Sequence, residues 1–304
     1  MPYPGVRIRP VPSERHDSGH IPAVLHCLAG LPQVADYFLG LSQSHFTSLS
    51  NTRTLGSIFS DIVHKSHGES FDSEVAELLK MCPSLREDNL KQDAFVFMQA
   101  FLTALCDELG YQSFFAKLFR GVVTARVECM NCGNFRLTEE GFLSVSLPIP
   151  DRRGIDLSDC LEAYTARENL RNANLWTCED CQFYVSSSRK LHFKSLPCTL
   201  LIHFKRFADS TLKLKTLVEY PVSLDMRKFL PESTEDNLEY QLCGLIRHKG
   251  KGLPGRYFGY MRNWTTGEWF EYSEGKVCRA FEAKLVSQDA YILVYGLKQE
   301  GEDR

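Results

Sequence analysis

The residues best placed to do chemistry are two Cys-x-x-Cys pairs, Cys129/Cys132 and Cys178/Cys181, separated by forty-five residues of mostly strand-like sequence. "ECMNCGNF" closes one apolar run and "LWTCEDCQFY" opens another, so each pair sits at a turn. Two such turns can bring four thiolates together, and tetrahedral zinc takes four sulfurs at about 2.3 Å from two rigid knuckles. One pair alone fits a redox motif or an accident of spacing; two pairs favour metal. With four sulfurs and no histidine beside either pair, the expected site is closed: one structural Zn2+ per chain. The alternative is four unligated cysteines in a reducing compartment.

Those turns need elements to carry them. In "QDAFVFMQAFLTALCDEL" the residues Ala94, Phe97, Met98, Phe101, Leu102, Leu105 and Leu109 recur at helical spacing and give one broad apolar face. Residues 21–39 are apolar enough for a buried helix, with Pro22 suited to its first turn and Gly30-Leu31-Pro32 breaking it midway. After Phe119 the period becomes two. Leu143, Val145 and Leu147 alternate with Ser144 and Ser146, and Leu200, Ile202 and Phe204 alternate with Leu201, His203 and Lys205. Leu157, Cys160, Leu161 and Tyr164 predict a short helix over 157–165, and 239–297 reads as short strands with Gly-rich connections. Helices first, then a zinc-tipped β hand, then a β-rich C-terminal half make an α+β arrangement.

Composition removes several function classes. A net charge of −3 over 304 residues argues against a nucleic-acid surface, which is normally basic. No run approaches eighteen apolar residues, so no membrane span is expected. The opening "MPYPGVRIRPVPSERHD" lacks the apolar core of a signal peptide. Eleven cysteines, four of them on metal, read as reduced thiols, and the expected location is cytoplasmic or nuclear.

From about Glu14 to Leu297 the chain resembles the ubiquitin-specific protease family of cysteine deubiquitinases. The pieces that carry the likeness are "KQDAFVFMQAFLTAL", "LFRGVVTARVECMNCG", "FLSVSLPIP", "LPCTLLIHFKRF", "YPVSLDM" and the tail from "QLCGLIRHKGKGLPGRYFGYMRN" to "AYILVYGL". They stand in the family's order, and the Cys-x-x-Cys pairs fall where its zinc-bearing fingers have theirs. The resemblance implies a papain-like hand with a helical thumb, a β palm and zinc-tipped β fingers that grip ubiquitin. It implies an N-terminal extension over 1–13 and one domain over 14–298, followed by a tail over 299–304. Within the domain the thumb covers about 14–119, and the fingers and palm about 120–298.

The family's catalytic pattern is missing. The nucleophile opens the first buried helix in a Gly-Asn-Thr-Cys-Tyr-Met-Asn-Ser pattern followed by Leu-Gln-Cys-Leu. When that last box is set on Leu25-His26-Cys27-Leu28, Gly19 falls at the nucleophile. The Gly-His-Tyr triplet of the base reads Gly255-Arg256-Tyr257, the third member's position reads Ser273, and the oxyanion asparagine falls on Glu14. Glycine has nothing with which to attack a carbonyl, and arginine cannot take a proton at pH 7. Serine cannot stabilise an imidazolium, and Glu14 puts an anion where a donor is needed. Loss of a nucleophile alone costs on the order of 10⁶ in rate in a well-studied serine protease. An ion pair of Arg256 with Glu14 or Asp17 across the dead site is a further expectation.

Other thiols offer little substitute. Cys27 matches a packing cysteine of the family, and Cys82, Cys106, Cys160, Cys198, Cys243 and Cys278 read as small core residues. His203 reads as a satisfied structural histidine and His248 as lying outside the triad. His20 stands beside Gly19 with no thiol to activate. For ubiquitin's Arg-rich tail, the family's Gln-Gln-Asp-Ala-His-Glu-Phe box reads Lys91-Gln92-Asp93-Ala94-Phe95-Val96-Phe97. Asp93 survives, the glutamate has become Val96, and Tyr257 and Phe207 stand where the family lines its channel. Loss of one of two such carboxylates weakens binding by roughly 1–3 kcal/mol. The leading reading is a catalytically inactive scaffold or adaptor, with ubiquitin or a ubiquitin-like modifier as a candidate partner. Two alternatives stay open: an active thiol-dependent deubiquitinase with an unrecognised site, and a zinc-stabilised interaction domain that does not bind ubiquitin.

Overall fold

A computed structural model describes residues 19–40, 53–65, 71–86, 92–170, 176–207, 211–230, 238–253, 255–273, 276–282 and 285–298. Its first part is helical: α1 (His20–Ala29), α2 (Pro32–Gly40), α3 (Leu55–Lys65), α4 (Asp72–Met81), α5 (Ala94–Leu109) and α6 (Phe114–Phe119). The expected break falls where Gly30 and Pro32 predict it. α5 starts at Asp93, whose carboxylate accepts from the N–H groups of Phe95 and Val96 and so satisfies two of the helix's unpaired donors. Edge-to-face rings lock the bundle: Phe59 meets Phe38 and Phe101, each at 5.1 Å between centroids.

From Gly121 the chain is strand-rich. β1 (Gly121–Cys129), β2 (Phe135–Phe142), β3 (Val145–Leu147) and β4 (Ile155–Asp156) lead into α7 (Leu157–Thr165). Asp156 and Asp159 cap α7 reciprocally, each accepting from the other's backbone N–H. Four more short or long strands follow: β5 (Glu168–Leu170), β6 (Trp176–Thr177), β7 (Tyr184–Val185) and β8 (Ser187–Ser195). After β9 (Thr199–Phe204), β10 (Val218–Glu219) and β11 (Ser223–Asp225) come β12 (Glu239–Lys249) and β13 (Arg256–Arg262). β14 (Trp269–Ser273), β15 (Lys276–Ala280) and β16 (Ala290–Leu297) finish the palm.

The fingers are a four-stranded sheet in the order β2-β1-β8-β5, and β6 pairs with β7 at the tip. The palm sheet runs β15-β14-β13-β12-β16-β9-β3. Its centre is a wall between two cores. Leu201, Ile246, Ile292 and Val294 pack with the thumb helices on one side. Leu200, Ile202, Leu245 and Leu293 pack with Leu157 and Leu161 of α7 on the other. β9 therefore departs from the alternation expected of it: every residue of Thr199–Phe204 is buried, because both faces are covered.

α1 packs on β13 and α5. The approach to β13 is close at Gly259, where an added methyl would stand 3.1 Å from the Ala23 carbonyl and 3.3 Å from the Cys27 sulfur. A glycine on the strand thus lets the helix seat against it.

Candidate functional site

At the fingertip the four expected cysteines converge. Their sulfurs all lie within 4.8 Å of one another, with Cys129 and Cys181 at 3.9 Å and Cys132 and Cys178 at 3.6 Å. Four sulfurs at zinc–sulfur distance from one tetrahedral ion stand about 3.8 Å apart, so the set fits the metal. The knuckles are built for it. Gly133 takes φ +77° to turn the first, and the Asn131 and Cys132 N–H groups point at the Cys129 sulfur at 3.4 and 3.5 Å. Such donors favour the thiolate form a metal requires. Gln182, at φ 59°, turns the second knuckle and returns its N–H to the Cys178 carbonyl. The group could hold one structural zinc, and among the described residues its own small core joins Cys129 and Cys178 to Val185, with Trp176 alongside.

A second cluster gathers where the N-terminus of α1 meets the start of β13. Gly19 precedes the first turn of α1 and makes no side-chain cap. A methyl built on it would lie 3.8 and 3.9 Å from the carbonyl oxygen and nitrogen of Tyr257, ordinary contact distances. Arg256 immediately precedes Tyr257, is exposed and pairs with Lys249 in the β12–β13 ladder. Ser273 ends β14 one strand over, and the preceding Tyr272 pairs with Gly259 and stacks on His26 at 4.4 Å. Glu14 and Asp17 lie outside the described residues, and so does the ion pair expected of Arg256 with either.

Beside that end of the sheet stands an aromatic box. The Tyr291 hydroxyl donates to Asp93 at 2.8 Å to its nearer oxygen, so the Asp93 carboxylate serves both the helix and the box. Burial raises the Asp93 pKa, and the Tyr291, Phe95 and Val96 donors oppose that rise. Tyr257 is buried against His248 at 4.9 Å and His20 at 5.9 Å, and Phe207 meets His248 at 5.0 Å and Tyr291 at 5.6 Å. Asp93, Tyr257 and Phe207 thus share one neighbourhood. Tyr291 and His248 complete it. Neither was singled out for this place, since a cross-strand neighbour leaves no trace in local spacing.

The box's histidines are neutral at pH 7. Burial lowers the pKa of His20 and His248 to about 4 and that of His203 to about 3. His203 is half satisfied among the described residues: Nδ1 meets the Ser146 hydroxyl at 2.7 Å and the ring stacks on Phe95, while Nε2 has no partner there. Both nitrogens of His248 and Nε2 of His20 are likewise buried without partners among the described residues.

The thiols sort into two groups. Cys27, Cys106, Cys160 and Cys243 are buried as expected, and burial pushes Cys106 up to about 11 and Cys160 and Cys243 to about 12. Cys27 is pushed higher still, and its sulfur faces the Leu245 and Tyr260 carbonyls at 3.9 Å. None of these is a ready nucleophile. Cys198 and Cys278 are exposed and Cys82 is half-buried, against expectation. Cys198 lies in the turn between β8 and β9, Cys278 is on the edge strand β15, and Cys82 ends α4. Apolar neighbours in sequence do not cover a turn, an edge or a helix end.

A family model described as ubiquitin carboxyl-terminal hydrolase matches residues 18–295. The chain is similar to ubiquitin carboxyl-terminal hydrolase 15 of Rattus norvegicus, 35% identical over 156 residues, covering 50% of this chain and 16% of that protein. A probable ubiquitin carboxyl-terminal hydrolase of Acanthamoeba polyphaga mimivirus is 30% identical over 239 residues, 75% of this chain and 50% of that one. The chain thus spans half or less of these relatives' lengths. Among solved structures, the SAGA Ubp8/Sgf11/Sus1/Sgf73 DUB module bound to ubiquitin aldehyde matches with a TM-score of 0.76 and 22% identity. That match covers 93% of this chain and 68% of the other, and it extends to the hand-like fold. By the span of the family match, with the fold in agreement, the chain belongs to the ubiquitin carboxyl-terminal hydrolase family.

Proposed function

We propose that this chain is a catalytically inactive member of its family that works as a scaffold or adaptor, with ubiquitin among its candidate ligands. The observation that carries the reading is Gly19 at the head of α1, against the backbone of Tyr257 and next in line to Arg256. A nucleophile and its base would have to meet there, and neither residue type can perform its step. Ser273 on β14 adds no base. The high pKa of the buried thiols speaks against any of them having taken over. A cytoplasmic or nuclear location belongs to the same reading. Among the described residues no helix is long and apolar enough to cross a membrane.

The test is a ubiquitin probe carrying a C-terminal electrophile. No cysteine should be labelled, and labelling at any of them overturns the proposal. The companion variant Gly19→Cys has room at ordinary contact distances. Combined with Arg256→His and Ser273→Asp, it should gain probe reactivity that the parent lacks. A calorimetric titration with ubiquitin then measures what affinity survives with Asp93 but without the second carboxylate at Val96.

A further inference from the structure

Next to the aromatic box, the palm's patterning runs the wrong way round. In segment 212–217 Lys213 is 5% exposed, while Leu212, Leu214 and Leu217 are 63%, 38% and 46% exposed. The partners of Lys213 explain the inversion. Its ammonium donates to the Asp289 carboxylate at 2.7 Å and to the His248 carbonyl. Backbone bonds pin the segment on both sides: Leu214 N–H to the Arg206 carbonyl at 2.7 Å, and Lys213 N–H to the Lys251 carbonyl at 3.0 Å. Phe207 bridges Lys213 in antiparallel register. An inward lysine in an extended segment turns its two neighbours outward. A slip of one residue would bury the leucines and pull the ammonium from Asp289, so the orientation is specified.

The charges around these leucines are predominantly cationic. Lys205, Lys215, Lys249 and Lys251 are all exposed, and the sequence over 204–219 and 248–253 holds six Lys or Arg against two acids, Asp209 and Glu219. In a chain of net charge −3 this is a local concentration of cations. Apolar side chains held outward beside such a field mark a contact surface.

We propose that this rim docks an acidic amphipathic segment of a partner protein. The segment's apolar side chains seat on Leu212, Leu214 and Leu217, and its carboxylates face the surrounding lysines. The same cations oppose an arginine-rich tail, so ubiquitin's tail is not the occupant. The proposal names the partner chemistry of the adaptor reading and rests on it for its meaning, but its geometry does not depend on the state of the cleft.

The test uses the full chain and short fluorescent synthetic peptides, read by anisotropy. One is an amphipathic Leu/Glu peptide, the second replaces its glutamates by lysine, and the third replaces its leucines by serine. The first should bind and the other two should bind at least about tenfold more weakly. Leu214→Ser with Leu217→Ser, and separately Lys215→Glu with Lys251→Glu, should each weaken the first peptide about tenfold with an unchanged circular dichroism spectrum. Equal binding of the serine peptide, displacement by ubiquitin or by single-stranded DNA, or wild-type affinity in both variants overturns the proposal. Labelling by the ubiquitin probe with peptide binding intact would remove the inactive reading and leave this surface standing. Loss of peptide discrimination with no labelling would do the reverse.

Discussion

The fingertip and the cleft are both built from a handful of side chains brought together by turns, yet they stand in opposite conditions. At the fingertip every ligand is present: four sulfurs within 4.8 Å on knuckles shaped by Gly133 and Gln182. At the head of α1 the supporting elements remain, with α1 seated on Gly259 and β13 beginning at Arg256, and on the reading proposed above Gly19 and Arg256 take no part in bond-breaking. On that reading, shape and bond-breaking are separable properties of this hand. A structural metal needs all its ligands or the knuckles fray, whereas a cleft can lose its nucleophile with little cost to the packing around it.

The largest effect expected to break this comparison is at the metal. Cys178→Ser should reduce zinc from one ion per chain to none, measured by elemental analysis. Metal-coupled folding is worth on the order of 10 kcal/mol in small zinc peptides, so the tip should lose its hydrogen-exchange protection. Because the tip has its own small core, the melting of the thumb and palm should stay close to that of the parent. A collapse of the whole molecule would show that the two regions are not independent.

Next in size is the thumb. Phe59→Ala removes a ring that meets both Phe38 and Phe101, and should cost about 3–5 kcal/mol in chemical denaturation. Zinc content should not change.

The third effect depends on pH and belongs to the seam between thumb and palm. His20 and His248 have folded pKa values near 4, and His26 and His203 near 3, all lowered by burial. In the unfolded chain each titrates near its ordinary value, about 6.5. Below that pH the unfolded state binds more protons, so stability is full above about 6.5 and falls as pH drops toward 4 and then 3. The melting temperature should fall steadily from pH 7 to pH 5. A flat profile would contradict the neutral state of these rings.

The smallest effect is expected at Tyr291→Phe, which removes the hydroxyl from Asp93 while Phe95 and Val96 still donate. A loss of about 0.5–1.5 kcal/mol is expected. A larger loss would mean that the box, and not the helix cap, is the main role of Asp93.

Much of the architecture was legible where a period or a spacing encodes it. The break at Gly30 and Pro32, the helix Ala94–Leu109 and the helix Leu157–Thr165 follow from residue type at fixed intervals. The metal cluster was legible because its ligands come in two local pairs. What escaped depends on neighbours far along the chain. β9 alternates in sequence but is covered on both faces, and Cys198 and Cys278 sit among apolar residues yet at a turn and an edge. The aromatic box joins Asp93 to Tyr291, partners 198 residues apart, and the outward leucines near Lys213 depend on Asp289 in the turn that leads into β16. Such placements follow from strand order, which no local window encodes.

The palm sheet touches the helices with one face and α7 with the other, so it has no slack side. Substituting Leu201 or its neighbour Ile202 loosens opposite flanks of the same three-strand partition of β12, β16 and β9. Either lesion should lower one common melting event. The body can then shift its helices against the sheet only by disturbing what lies behind it.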